Sequence, residues 1–161
     1  MVPIGKNPTV YVETTIVSYL TARPSRDLLT AGHQQVTREW WEGRFRFDLV
    51  ISELVLREAG GGDPEFAALR LEAVRDIPVL SLDEETMSLA RELVNRGPLP
   101  SNALADALHI AVCVTRGIEF LLTWNCAHLA NATIRSRVEE KCRARGYVPP
   151  IICTPEELTE V

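Results

Sequence analysis

Three carboxylates sit where folding would not leave them idle. Glu13 lies in "VYVETTIVSYL", residues 10–20, between the strand-like Val10, Tyr11 and Val12 and the apolar helix face of Ile16, Val17, Tyr19 and Leu20. Burial of a carboxylate at such a junction is costly unless something pairs with it. Glu58 closes "SELVLREA", four residues after Leu54 and three after Val55, hence near the inward face of a helix. Asp106 stands early in "SNALADALHIA", beside a stripe of Leu104, Leu108, Ala111 and Val112. Three such acids brought together repel one another unless cations sit among them. Hard oxygen ligands of this kind suit Mg²⁺ or Mn²⁺, with waters completing an octahedron. Spacing alone leaves a plainer reading open, in which Asp106 complements a helix dipole and Glu58 is a partly exposed residue of an amphipathic helix.

The elements that must position these acids alternate between strand and helix. Strands are expected at Thr9–Val12, at "DLVI" (48–51), "PVLSL" (78–82), "FLLTW" (120–124) and "PIICTP" (150–155). Helices are expected over Thr15–Leu20 and Asp27–Gly43, split by "TARPSRD", and over "ELVLREA" behind a Ser52 cap. Further helices are expected over "EFAALRLEAVRD", over Asp83–Asn95, over 103–116 up to Gly117, and from beyond the fourth strand to near Gly146. Strands separated by helices indicate an α/β sandwich with a mainly parallel sheet. Sites in such sheets form beyond the carboxyl ends of strands, where strand order reverses. Glu13 and Asn125 follow the first and fourth strands and so fall at that edge.

The bulk properties fit one domain spanning 1–161. Hydrophobic residues make up 46% of the 161, enough for a full core. The formal net charge of −5 excludes a broadly basic nucleic-acid surface, so any such binding must be local. Cys113, Cys126, Cys142 and Cys153 form no metal-binding spacing and read as reduced core thiols. "MVPIGKNP" lacks the apolar core of a signal peptide, and no apolar run approaches the ~20 residues of a membrane span. The expectation is a cytoplasmic protein.

Four words, "VYVETTIVSYL", "VISELVLREAGGGD", "ADALHIA" and "FLLTWNCAHLANA", together resemble the PIN-domain family, and more narrowly its VapC-like branch of ribonuclease toxins. The resemblance runs from about Val10 to Leu158. It implies a PIN-like three-layer sandwich, a central sheet of about five strands flanked by helices, and metal-dependent endoribonuclease activity. The family's catalytic acids then fall on Glu13, Glu58, Asp106 and Asn125. Two departures stand out, because the first position is usually Asp and the fourth is often Asp. Glu13 displaces its carboxylate by on the order of 1 Å, against a tolerance of about 0.5 Å unless the surroundings compensate. Asn125 offers an oxygen without charge, which weakens a second metal more than the first. The resemblance therefore implies one well-held Mg²⁺ or Mn²⁺, with Glu13 and Asp106 as direct ligands and Glu58 acting directly or through water. It also implies an RNA substrate, products with a 5′-phosphate and a 3′-hydroxyl, an antitoxin partner and a homodimer.

Neighbouring residues carry two readings each. Thr14, Thr15 and Ser52 can cap helices or support the site. His109 and His128 lie three residues after Asp106 and Asn125, on shared faces if both segments are helical; they can contact RNA or simply pack. Cys126 and His128 are two zinc-type ligands, too few for a site. Arg23 and Arg26 suit phosphate, or are solvated loop charges. Arg135, Arg137, Lys141, Arg143 and Arg145 form the densest basic segment, usually an exposed face. One of Trp40 and Trp41 belongs in the core, leaving the other for an interface. The alternative to an enzyme is a non-catalytic PIN-like module that binds RNA or protein with a degenerate metal site. A haloacid-dehalogenase-like phosphatase would need an Asp two residues after the first acid, where Thr15 stands.

Overall fold

β-Branched and aromatic side chains suit a pleated surface buried on both faces, and Val10, Tyr11 and Val12 accordingly form the fully buried part of β1 (Thr9–Val12). The computed structural model describes residues 6–95 and 97–159. The expectation that "MVPIGKNP" is not a signal peptide rests in part on residues 1–5, which lie outside the described residues. Four more strands follow: β2 (Asp48–Ser52), β3 (Val79–Leu80), β4 (Phe120–Leu122) and β5 (Ile151–Cys153). They form one parallel sheet in the order β3-β2-β1-β4-β5, with Tyr11 paired to Val50 on one side and Leu121 on the other.

The helices are α1 (Thr14–Thr21), α2 (Leu28–Glu42), α3 (Glu53–Ala59), α4 (Pro64–Ala73), α5 (Glu84–Val94), α6 (Leu104–Arg116) and α7 (Ala132–Ala144). Local chemistry starts most of them: Asp27, Ser52, Asp63, Asp83 and Asn131 each accept first-turn N–H groups. Gly117 ends α6 in the left-handed region at φ 66°, where a β-carbon is disfavoured. Right-handed crossovers place α1–α4 on one face and α5–α7 on the other. The contacts agree, joining α1 with α2, α3 and α4, and α5 with α6.

Several boundaries differ from the sequence expectation. β4 stops at Leu122 because the Thr123 hydroxyl accepts the Asn125 N–H (2.9 Å) and turns the chain. The long helix does not follow at once, since Asn125 O instead collects the N–H groups of Leu129 and Ala130 in a turn. Asn125 and His128 therefore lie in a loop, not on a shared helix face. β3 is likewise only two residues long, and Leu82 N donates outside the sheet to Glu53 Oε2. Chain order reverses between β1 and β4. Glu13 and Thr123 stand at that switch point, the crevice where sites of open α/β sheets form.

Candidate active site

Glu13 is 4% exposed, directly after β1. It is itself the N-cap of α1, a role the sequence had suggested for Thr14 or Thr15. Its Oε2 accepts Thr15 N–H (3.0 Å), and its Oε1 accepts the hydroxyls of Thr15 (2.6 Å) and Thr123 (2.5 Å). The Thr15 hydroxyl also accepts Trp124 N–H (2.9 Å), tying the start of α1 to the end of β4. These three bonds hold the side chain in one place. A carboxylate has about four lone-pair sites, so the remaining one, on Oε2, is open to a further donor or cation.

Glu58 comes from the last turn of α3, and its side chain is 35% exposed rather than packed inward. Its Oε1 takes the Thr14 hydroxyl (2.7 Å) and His109 Nε2 (2.7 Å). Burial pushes its carboxyl up, but the hydrogen bond and charge of His109 and the Thr14 hydroxyl outweigh this, leaving it below the usual carboxylate range. Behind it, His109 Nδ1 meets the Tyr11 hydroxyl (2.6 Å), which in turn meets the Ser52 hydroxyl (2.8 Å). Burial is the main cause holding the Tyr11 phenol well above its ordinary range, with nearby Cys113, Glu13 and Glu58 adding to it and Ser52 opposing.

Asp106 stands in the first turn of α6. Its Oδ1 accepts Asn125 Nδ2 (3.0 Å) and its Oδ2 meets His128 Nδ1 (2.8 Å), while Asn125 Oδ1 accepts His128 N–H (3.1 Å). The acids thus divide into two sets. Among the described residues, Glu13, Glu58 and His109 form the one group of His, Cys, Asp or Glu whose ligand atoms all lie within 4.8 Å of one another. Asp106 falls outside that group, beside Asn125 and His128. Two carboxylates in one crevice, with an imidazole against one of them, form a group that fits a divalent cation.

The family model for the PIN domain matches residues 10–125, a span that starts inside β1 and ends on Asn125. The chain belongs to the PIN domain family. No curated protein sequence matches it significantly. Among solved structures it is similar to VapBC2 from Rickettsia felis bound to a DNA fragment from its promoter, at 15% identity and a TM-score of 0.53, covering 91% of this chain and 98% of that one. It is also similar to Mycobacterium tuberculosis VapC20, a sarcin–ricin loop cleaving toxin, at 18% identity and a TM-score of 0.56, covering 86% and 96%. At these identities the likeness is one of fold.

Other residues singled out in this PIN domain have plainer surroundings. Arg23 lies over the Phe66 ring, 5.3 Å from its centroid, and Arg26 is exposed in the loop before α2. Three of the five residues of the basic segment are paired: Arg135 with Ile152 O and Glu157, Arg143 with Glu139, and Arg145 with Glu92. Trp40 is the core tryptophan, its indole donating to Leu158 O (3.0 Å), and Trp41 lies under Arg44. Three cysteines are buried, but Cys126 is exposed, because the loop after Asn125 carries it to the surface. Sequence reasoning missed the Tyr11 hydroxyl and Thr123. The available signal was polarity: a phenol and a hydroxyl at strand positions buried on both sides need a partner.

Proposed function

We propose that this PIN domain is a Mg²⁺- or Mn²⁺-dependent endoribonuclease, the toxin of a toxin–antitoxin pair. The observation that carries the reading is the meeting of Glu13, Glu58 and His109 at the switch point between β1 and β4. Membership of a nuclease family and the fold shared with VapC20 support it. A cation held there by Glu13 and Glu58, with Asp106 at the neighbouring edge, supplies charge for the phosphoryl oxygens and acidifies water at the site. Thr15 and Thr123 keep the Glu13 carboxylate fixed for that role. Thr14 and His109 do the same for Glu58, leaving its Oε2 clear of protein donors among the described residues. Asn125 and His128 orient Asp106 without adding a fourth negative charge, so RNA phosphate meets less repulsion at that side. Arg23, Arg26 and His128 are the substrate-side candidates, whereas Thr14 and His109 are buried and bonded to Glu58; an antitoxin is the protein partner, and the assembly is a homodimer.

One observation favours the alternative, a non-catalytic module: both Asp106 oxygens already have protein partners. Mn²⁺ calorimetry and an RNA cleavage assay on the wild type and Asp106→Asn separate the two. The nuclease reading expects Mn²⁺ binding and metal-dependent cleavage in the wild type, with cleavage abolished in the variant at an unchanged melting temperature. Cleavage persisting in Asp106→Asn, or RNA binding indifferent to metal without cleavage, overturns it.

A further inference from the structure

The hydrogen bonds behind Glu58 form a closed circuit. Ser52 caps α3 by accepting Leu54 N–H (3.2 Å) and lies 2.8 Å from the Tyr11 hydroxyl of β1. Tyr11 reaches His109 of α6 at 2.6 Å, and His109 returns to α3 at Glu58 Oε1, 2.7 Å away. The circuit therefore begins at the residue that starts α3 and ends on the acid that α3 carries. Tyr11, Ser52 and His109 are each at most 1% exposed, so water cannot substitute for a missing partner.

The direction of the last bond follows from its acceptor. Glu58 Oε1 already accepts the Thr14 hydroxyl, and an ionised carboxylate only accepts. His109 Nε2 must then carry a hydrogen whatever the charge on the ring. Either orientation of the Tyr11 and Ser52 hydroxyls satisfies Nδ1: Tyr11 donates to it when it is bare, or accepts from it and donates to Ser52 when it is protonated.

We propose that Ser52, Tyr11 and His109 are positioning residues that pin Glu58 Oε1 through an Nε2–H donor and so present Oε2 to the cation. This rests on the metal-site reading above. It goes beyond it in making His109 a hydrogen-bond donor to a ligand, not a ligand itself. Outer partners of metal-binding carboxylates typically change affinity by about 10–100-fold when removed.

The test is Mn²⁺ titration of the full chain in four forms: wild type, Tyr11→Phe, His109→Leu and His109→Gln. The Gln amide nitrogen lies the same number of bonds from Cα as imidazole Nε2 and keeps an N–H for Glu58. The expected result is Mn²⁺ binding weakened about 10-fold or more in Tyr11→Phe and His109→Leu, with His109→Gln, which keeps the donor to Glu58 but not the Tyr11 partner, binding more tightly than His109→Leu. Long-range ¹H–¹⁵N correlation on the metal-free wild type should show a protonated His109 Nε2, a readout that needs no variant to fold. Wild-type affinity in Tyr11→Phe and His109→Leu overturns the positioning role and leaves the metal site standing. His109→Gln binding as weakly as His109→Leu, or an unprotonated Nε2, also overturns it, because the ring nitrogen would then act as a ligand. No Mn²⁺ binding by the wild type overturns the metal reading, and this inference with it.

Discussion

Thr123→Val is the sharpest probe of how Glu13 is held at the end of β1. The side chains are nearly isosteric, and Thr123 is fully buried, so packing is conserved while the hydroxyl is lost. Two bonds go with it: the donation to Glu13 Oε1 (2.5 Å) and the acceptance of Asn125 N–H (2.9 Å). A hydrogen bond to a charged acceptor contributes about 1.5–3 kcal/mol, and a neutral one about 0.5–1.5 kcal/mol. Asn125 is partly exposed and can recover a water, so the second loss sits at the lower end. The total is about 2–4 kcal/mol, which for a chain of this length lowers the melting temperature by roughly 4–16 °C. Differential scanning calorimetry in chelator measures this directly. Thr123→Ser, which keeps the oxygen and loses one methyl, should fall by clearly less. A Thr123→Val melting temperature within about 1 °C of wild type would refute the claim that this hydroxyl anchors Glu13.

Two further outcomes follow from ionisation. Because the Glu58 carboxyl is held below its ordinary value near 4.5, its contribution to stability is complete above that pH and is lost as pH falls through the lower folded value. The melting-temperature gap between metal-free wild type and Glu58→Gln should therefore shrink as pH falls below about 4.5; a gap that widens in acid contradicts the pairing with His109. Burial pushes the Cys142 thiol up to about 11 and Cys153 up to about 12, and Cys113 is raised as well. A thiol reagent at pH 8 should titrate Cys126 alone in the native protein and all four cysteines in denaturant, as counted by absorbance; rapid native reaction of a second thiol would show that the core opens.

The elements were legible because their signals are local. β1 is found at the residues its β-branched and aromatic run indicated, Ser52 caps α3, and Gly117 stops α6. Where the reading slipped, a side chain outcompeted the backbone pattern. "FLLTW" reads as a five-residue strand, but the Thr123 hydroxyl takes a backbone N–H and ends it two residues early. The same competition placed His128 in a loop, and the exposure of Cys126 follows from that loop.

The sequence alone determined the alternating architecture, the acid that follows β1 and the family to which the chain belongs, since each depends on residues close together in the chain. Only the tertiary structure decided which acids meet. His109 and Asp106 are three residues apart on α6, so both project from neighbouring positions on one side, but nearly a full turn separates them along the axis. That turn is enough for different company: Asp106 meets Asn125 and His128 from the loop after β4, and His109 meets Tyr11 of β1 and Glu58 of α3. Partners 51 to 98 residues away cannot be read from spacing. They are set by how α3 and α6 pack across the end of the sheet, and by the need of every buried polar group there to find a partner.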